Sequence, residues 1–130
     1  MANSPLSALV GGVLLVWWPE DENPHHPGPK FRPGYVLDLD LTAKKVLIAY
    51  GTTQRLETQG AGEMVVTHAE MPTLKQDTKF CFRRTKWIPL SPSFLSKSQT
   101  GIDVIYVGSV PKARADDLLN ALQEARLITP

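Results

Sequence analysis

The chain has 130 residues, 42% of them hydrophobic, which suits one compact domain spanning 1–130 and leaves little room for a second. Fourteen Lys and Arg against thirteen Asp and Glu give a net charge of +1, which excludes a polybasic nucleic-acid coat and confines any nucleic-acid contact to a local patch. A single cysteine, Cys81, excludes an internal disulfide framework and fits a reducing compartment, and no apolar run approaches the roughly 20 residues that span a bilayer.

Ala8 to Val16 is apolar enough for the core of a secretory signal. No Lys or Arg precedes it, however, and Trp17, Trp18 and Pro19-Glu20-Asp21-Glu22 follow in place of a small-residue cleavage site. The segment reads instead as a buried first strand, about Val10 to Trp18, in a cytoplasmic protein. Glu20 to Pro33 holds four prolines, which forbid a helix and supply few donors to a sheet, so it reads as a long exposed loop. Gly34 to Leu41 alternates, with Tyr35, Leu37, Leu39 and Leu41 on one face and Val36, Asp38 and Asp40 on the other, the pattern of a strand with one wet face. Thr42-Ala43-Lys44 turns the chain into Lys45 to Tyr50, completing a hairpin that Gly51-Thr52-Thr53-Gln54 ends. A weaker strand follows at Met64 to His68, another at Lys79 to Leu90 with a bend at Arg83-Arg84, and a short one at Ile102 to Val107.

The period then changes. Pro111 suits a first helical turn with Ser109 as a cap, and Ala115, Leu118, Leu119, Leu122 and Ala125 recur at helical spacing to about Arg126. Strands followed by one terminal helix make a mainly β fold: a small, curved antiparallel sheet or barrel with a C-terminal helix packed on it.

His25, His26, His68, Cys81 and the acids near position 20 lack the spacing of a zinc site, so no metal and no cofactor is expected. Cys81 has no His or Asn beside it and reads as a structural thiol. The proline-rich loop carries more chemistry. It delivers Arg32 to the mouth of the hairpin whose second strand ends in Thr52 and Thr53. An arginine fork offers paired, permanent donors to phosphate oxygens, a threonine adds a neutral hydrogen bond, and the imidazoles of His25 or His26 move protons near neutral pH. Arg83, Arg84 and Lys86 form the densest basic cluster and suit an RNA backbone, or else a solvated strand face. Trp17 and Trp18 alternate in direction: one packs in the core, and the other stacks a base or fills an interface, with Trp18 taken as the base-stacking candidate.

Val16-Trp17-Trp18-Pro19, then Lys30-Phe31-Arg32-Pro33-Gly34-Tyr35-Val36-Leu37, then Ile48-Ala49-Tyr50-Gly51-Thr52-Thr53-Gln54 resemble the PemK/MazF-like toxins of bacterial type II toxin–antitoxin pairs. Weaker similarity runs through Thr78-Lys79-Phe80, Ile88-Pro89-Leu90 and Val107-Gly108-Ser109-Val110-Pro111. The resemblance implies a small SH3-like barrel (the plasmid maintenance toxin fold), usually a homodimer, that cleaves single-stranded RNA without metal and is neutralised by a cognate antitoxin. In such an endoribonuclease a ribose 2'-OH attacks the adjacent phosphate and leaves a 2',3'-cyclic phosphate. The family's arginine matches Arg32 and its hydroxyl matches Thr52 or Thr53, with His25 or His26 assisting proton transfer. Lys30, Gln54, Arg83, Arg84, Lys86 and Trp18 make up the expected RNA-binding set. Two segments depart from the pattern. Gly12-Val13 stands where many relatives have Gly-Asp, and Phe80-Cys81-Phe82-Arg83-Arg84-Thr85-Lys86-Trp87 replaces an acidic-and-basic strand. The alternative function is a catalytically inactive barrel, a degenerate toxin or phage-borne protein, that binds a protein or nucleic-acid partner.

Overall fold

Val13-Leu14-Leu15-Val16 is apolar at every position because the strand it forms is covered on both sides. Val13 and Leu15 pack with one core cluster, Leu14 and Val16 with the other. A computed structural model describes residues 10–96 and 106–128. Its strands are β1 (Gly12–Trp17), β2 (Phe31–Asp40), β3 (Lys45–Thr52), β4 (Glu63–Val66), β5 (Thr78–Pro89) and β6 (Tyr106–Ser109). A short helix α1 (Pro92–Leu95) precedes β6, and a 3₁₀ turn at Lys112–Arg114 leads into α2 (Ala115–Glu124). The strands form one six-stranded antiparallel sheet in the order β4-β5-β3-β2-β1-β6, curled into a half-barrel.

The curl comes from register breaks. Between β3 and β5, Ala49 faces Thr85 while the next residue, Tyr50, faces Cys81, so Phe82, Arg83 and Arg84 are extra residues on β5. That is the bend expected at Arg83-Arg84. A second break, between Val36 and Asp38, corrects the wet-face reading of β2. The bulge shifts the phase of the alternation, so Tyr35 and Leu37 join one cluster while Val36 and Leu39 join the other, and Leu41 is left 49% exposed in the turn.

The first cluster, with Met64, Phe80 and Phe82 at its centre, lies under α2, and the second is closed by Phe94 and Leu95 of α1. Ala121 is the buried residue of α2, with Leu118, Leu122 and Ala125 beside it; Leu119, expected on that face, is 46% exposed. Pro111, not Ser109, stands at the start of the 3₁₀ turn, with no side-chain cap. The helix is tied to the β4–β5 connection by Arg114, whose guanidinium donates to both Glu70 carboxylate oxygens (2.9 and 2.7 Å). The expected strand at Ile102 to Val107 lies largely outside the described residues; β6 begins at Tyr106.

The proline-rich loop is shorter than its prolines suggest, because β2 already begins at Phe31 and takes Arg32 and Pro33 into the sheet opposite Val16 and Leu15. The loop is drawn against the end of β1. Trp18 N–H donates to Lys30 O (3.3 Å), and Gly28 lies so close that a Cβ there would stand 1.7 Å from the Trp18 carbonyl oxygen. Only glycine allows that approach.

Candidate functional site

Arg32 reaches its place because β2 starts early, and Thr53 because β3 ends late. The two strands close on each other at Gly51, where a Cβ would sit 2.3 Å from the Pro33 carbonyl oxygen. The turn after β3 is locked by Thr52, whose hydroxyl oxygen accepts the Gln54 N–H at 3.1 Å. Beyond it, Lys30, Arg32, Thr53 and Gln54, with Phe31, Pro33 and Gly51, line a groove of about 280 Å³. The two threonines thus divide the work: Thr53 lines the groove, and Thr52 shapes the turn that presents it. Phe31, Pro33 and Thr53 also form one side of a larger, mostly apolar cavity of about 420 Å³, whose other walls include Leu74, Gln76 and Thr78.

Lys30 and Arg32 also line a second cavity, of about 210 Å³, together with Trp18, Glu20, Tyr50 and Arg84. The Tyr50 ring gathers both guanidinium groups: the Arg84 Cζ lies 4.2 Å from its centroid and the Arg32 Cζ 5.4 Å, both inside cation–π range. Among the described residues neither arginine makes an ion pair. The bulge on β5 falls opposite the Ala49–Tyr50 step, and so it is the feature that sets Arg84 over this ring.

The basic cluster expected on β5 is therefore divided. Arg84 joins the site. Lys86 is held by Asp21 of the proline-rich loop (3.1 Å). Arg83 packs its stem at Gly62, where a Cβ would come within 2.7 Å of its Cγ and 3.2 Å of the Ala125 Cβ, on the α2 side. His25 and His26 are exposed on the loop and line none of these three cavities.

Trp18 is the tryptophan that packs in the core. It is 6% exposed and set edge-on to Tyr50 at 5.1 Å, which leaves no open face for a stacked base. Its indole N–H is buried and finds no acceptor among the described residues. Trp17 stacks on Phe31 at 4.8 Å and donates its indole N–H to Ser96 O at 2.7 Å.

Around Cys81 the chemistry is structural. Burial pushes the thiol pKa up and the neighbouring Glu63 carboxylate adds to the rise, which favours the protonated thiol over the reactive thiolate. Among the described residues no three His, Cys, Asp or Glu side chains gather as a metal site, and no helix is long and apolar enough to cross a membrane. The His68 Nδ1 lies against the Leu74 carbonyl oxygen.

Sequence reasoning did not single out Tyr50, and it weighed the acids near position 20, Glu20 among them, only as zinc ligands. Tyr50 ends a run of apolar β residues, and only its neighbours across the sheet reveal it as the ring that collects two arginines. No protein-family model and no curated protein matches the chain.

Proposed function

We propose that the chain is an endoribonuclease of the PemK/MazF-like toxin type, an SH3-like barrel that cleaves single-stranded RNA at the groove between Arg32 and Thr53. The observation that carries this reading is that Arg32 and Thr53 line one groove at the open end of the β2–β3 hairpin. In this reading the nucleophile comes with the substrate. The ribose 2'-OH attacks phosphorus, the bond to the 5'-oxygen breaks, and the products carry a 2',3'-cyclic phosphate and a 5'-OH. The transition state concentrates negative charge on the non-bridging oxygens. Arg32 offers them a fixed, planar pair of donors, and Thr53 offers a short neutral one. Glu20, which shares with Lys30 and Arg32 the lining of the second cavity, is the carboxylate this reading offers to accept the 2'-OH proton. The apolar cavity beyond Phe31 and Thr53 is large enough for a base flanking the cut. A cognate antitoxin would neutralise this site by laying an acidic or extended segment over Arg32.

A specific observation favours the second reading, an RNA-binding module without catalysis: among the described residues no carboxylate or imidazole lines the Thr53 groove, and both loop histidines stand apart from it. Incubation with mixed-sequence single-stranded RNA in excess EDTA, beside Arg32→Ala, decides between them. Cleavage that leaves cyclic-phosphate ends and disappears in the variant supports the ribonuclease. Binding without cleavage by folded protein assigns the module.

A further inference from the structure

We infer that Arg84, Lys30 and Arg32 form a second phosphate subsite beside the scissile groove, holding a neighbouring phosphate of the same RNA strand. The inference rests on the ribonuclease reading for its ligand and on the geometry of the second cavity for its place. Lys30 and Arg32 line both cavities; one then continues to Thr53 and Gln54, the other to Tyr50, Trp18 and Arg84. Arg32 therefore stands between two adjacent spaces, as an arginine gripping consecutive phosphates must.

Three features make the second space a phosphate site rather than a base site. Both guanidinium groups lie within cation–π range of the Tyr50 ring, a contact that consumes none of their N–H donors, and among the described residues neither is ion-paired. Three cations, Lys30, Arg32 and Arg84, line the space against one carboxylate, Glu20, and among the described residues none of the three is ion-paired. Bringing like charges to one ring without a counter-ion is unfavourable, and an anion between them removes the repulsion. Finally, a base has nothing to stack on: Trp18 is buried and the arginines already occupy Tyr50. The wall is also built before any ligand arrives, because Gly28 pins the loop to Trp18 and the Lys86–Asp21 pair holds it to β5.

The test uses the whole chain and a single-stranded 2'-O-methyl hexanucleotide, which binds but has no nucleophile. The logarithm of its affinity is plotted against the logarithm of salt concentration. Removing one phosphate contact from a single strand lowers the slope by about 0.7. The expected result is that Arg84→Gln lowers the slope by about that much, whereas Lys112→Gln, the same charge loss on the exposed 3₁₀ turn, leaves it unchanged. Arg84→Lys keeps the charge without the planar fork; it is expected to restore the slope but not the full affinity. Trp18 lines the cavity, so its buried indole N–H is expected to shift in heteronuclear spectra on binding, and the Trp17 indole is not. A slope indifferent to Arg84, or equally sensitive to Lys112, overturns the subsite. Inorganic phosphate that shifts the Trp18 indole as strongly as the oligonucleotide, at equal concentration, reassigns the cavity to a free phosphate and overturns the strand assignment. The two proposals fail separately. Arg84-dependent binding with no cleavage of ordinary RNA removes the ribonuclease and keeps the subsite. Cleavage with a slope indifferent to Arg84 does the reverse.

Discussion

Two cationic centres lie towards the open end of the β2–β3 hairpin, Lys79 on β5 beside Thr52 and Arg32 near the start of β2, and they treat their charges differently. At one, Lys79 is 5% exposed and its ammonium is fully engaged: it donates to the carbonyls of Arg55 (2.9 Å) and Thr58 (2.8 Å) and pairs with Glu63 (3.3 Å). At the other, Arg32 and Arg84 lie on a tyrosine ring beside open space, with no carboxylate bound to them among the described residues. A buried charge must be met by oxygen atoms or the fold loses stability. A charge held by a ring face keeps its donors available. Lys79 is therefore a structural pin, and the arginine pair is poised for a ligand. The pin serves the site as well, because Arg55, whose left-handed backbone (φ 56°) is unusual for a residue with a side chain, follows directly on Thr53-Gln54 and is held there through its carbonyl.

The comparison breaks most clearly at Arg32. Arg32→Ala is expected to lower single-turnover RNA cleavage by about 10²–10³-fold, the usual effect of deleting one donor to transition-state charge, while the unfolding midpoint in urea stays near that of the parent protein. A large stability loss would instead make Arg32 structural. Lys79→Met should show the reverse. It strips the Glu63 carboxylate and two carbonyls of their donor and is expected to cost about 3 kcal/mol in urea unfolding, part of which returns when Glu63→Gln is added.

The same pin gives the fold a pH dependence. Burial pushes the Glu63 carboxyl pKa up, but the Gly60 N–H and the Lys79 ammonium together outweigh it and hold the carboxyl below its ordinary range. A folded value below the unfolded one means that the ionised carboxylate stabilises the fold above the unfolded pKa. That stability is lost as the pH falls through the folded value. Thermal unfolding followed from pH 7 downward is therefore expected to fall more steeply for the parent protein than for Glu63→Gln once the pH drops below about 4.5. The smallest effect belongs to the exposed latch between Lys86 and Asp21. Lys86→Ala is expected to cost about 0.5 kcal/mol at low ionic strength and almost nothing in 1 M salt, read from urea midpoints.

How much of this could be read beforehand differs by element. The β2–β3 hairpin was legible because its turn residues and alternating apolar positions act within a few residues of each other. The bend on β5 was legible from a pair of arginines interrupting an apolar run, and α2 from its changed period. The wet face of β2 was misread because a bulge between Val36 and Asp38 leaves no mark in the alternation itself. The groove was half legible. Arg32 and the Thr52-Thr53 pair were recognisable by residue type, but which threonine lines the groove depends on a hydrogen bond to Gln54 and the close approach at Gly51. The histidines, chosen for their chemistry alone, stand outside it.

Local pattern was thus enough for the strands, the terminal helix and the presence of an arginine and two hydroxyls at one hairpin end, because periodicity and turn chemistry are written within a few neighbouring residues. Which side chains meet was decided only by the folded sheet. The extra residues Phe82, Arg83 and Arg84 send adjacent arginines to different places, one to Tyr50 and one to Gly62, and bury Trp18 beside the first. Such pairings depend on strand register between segments some thirty residues apart, and register is settled by packing of the whole core rather than by any one segment.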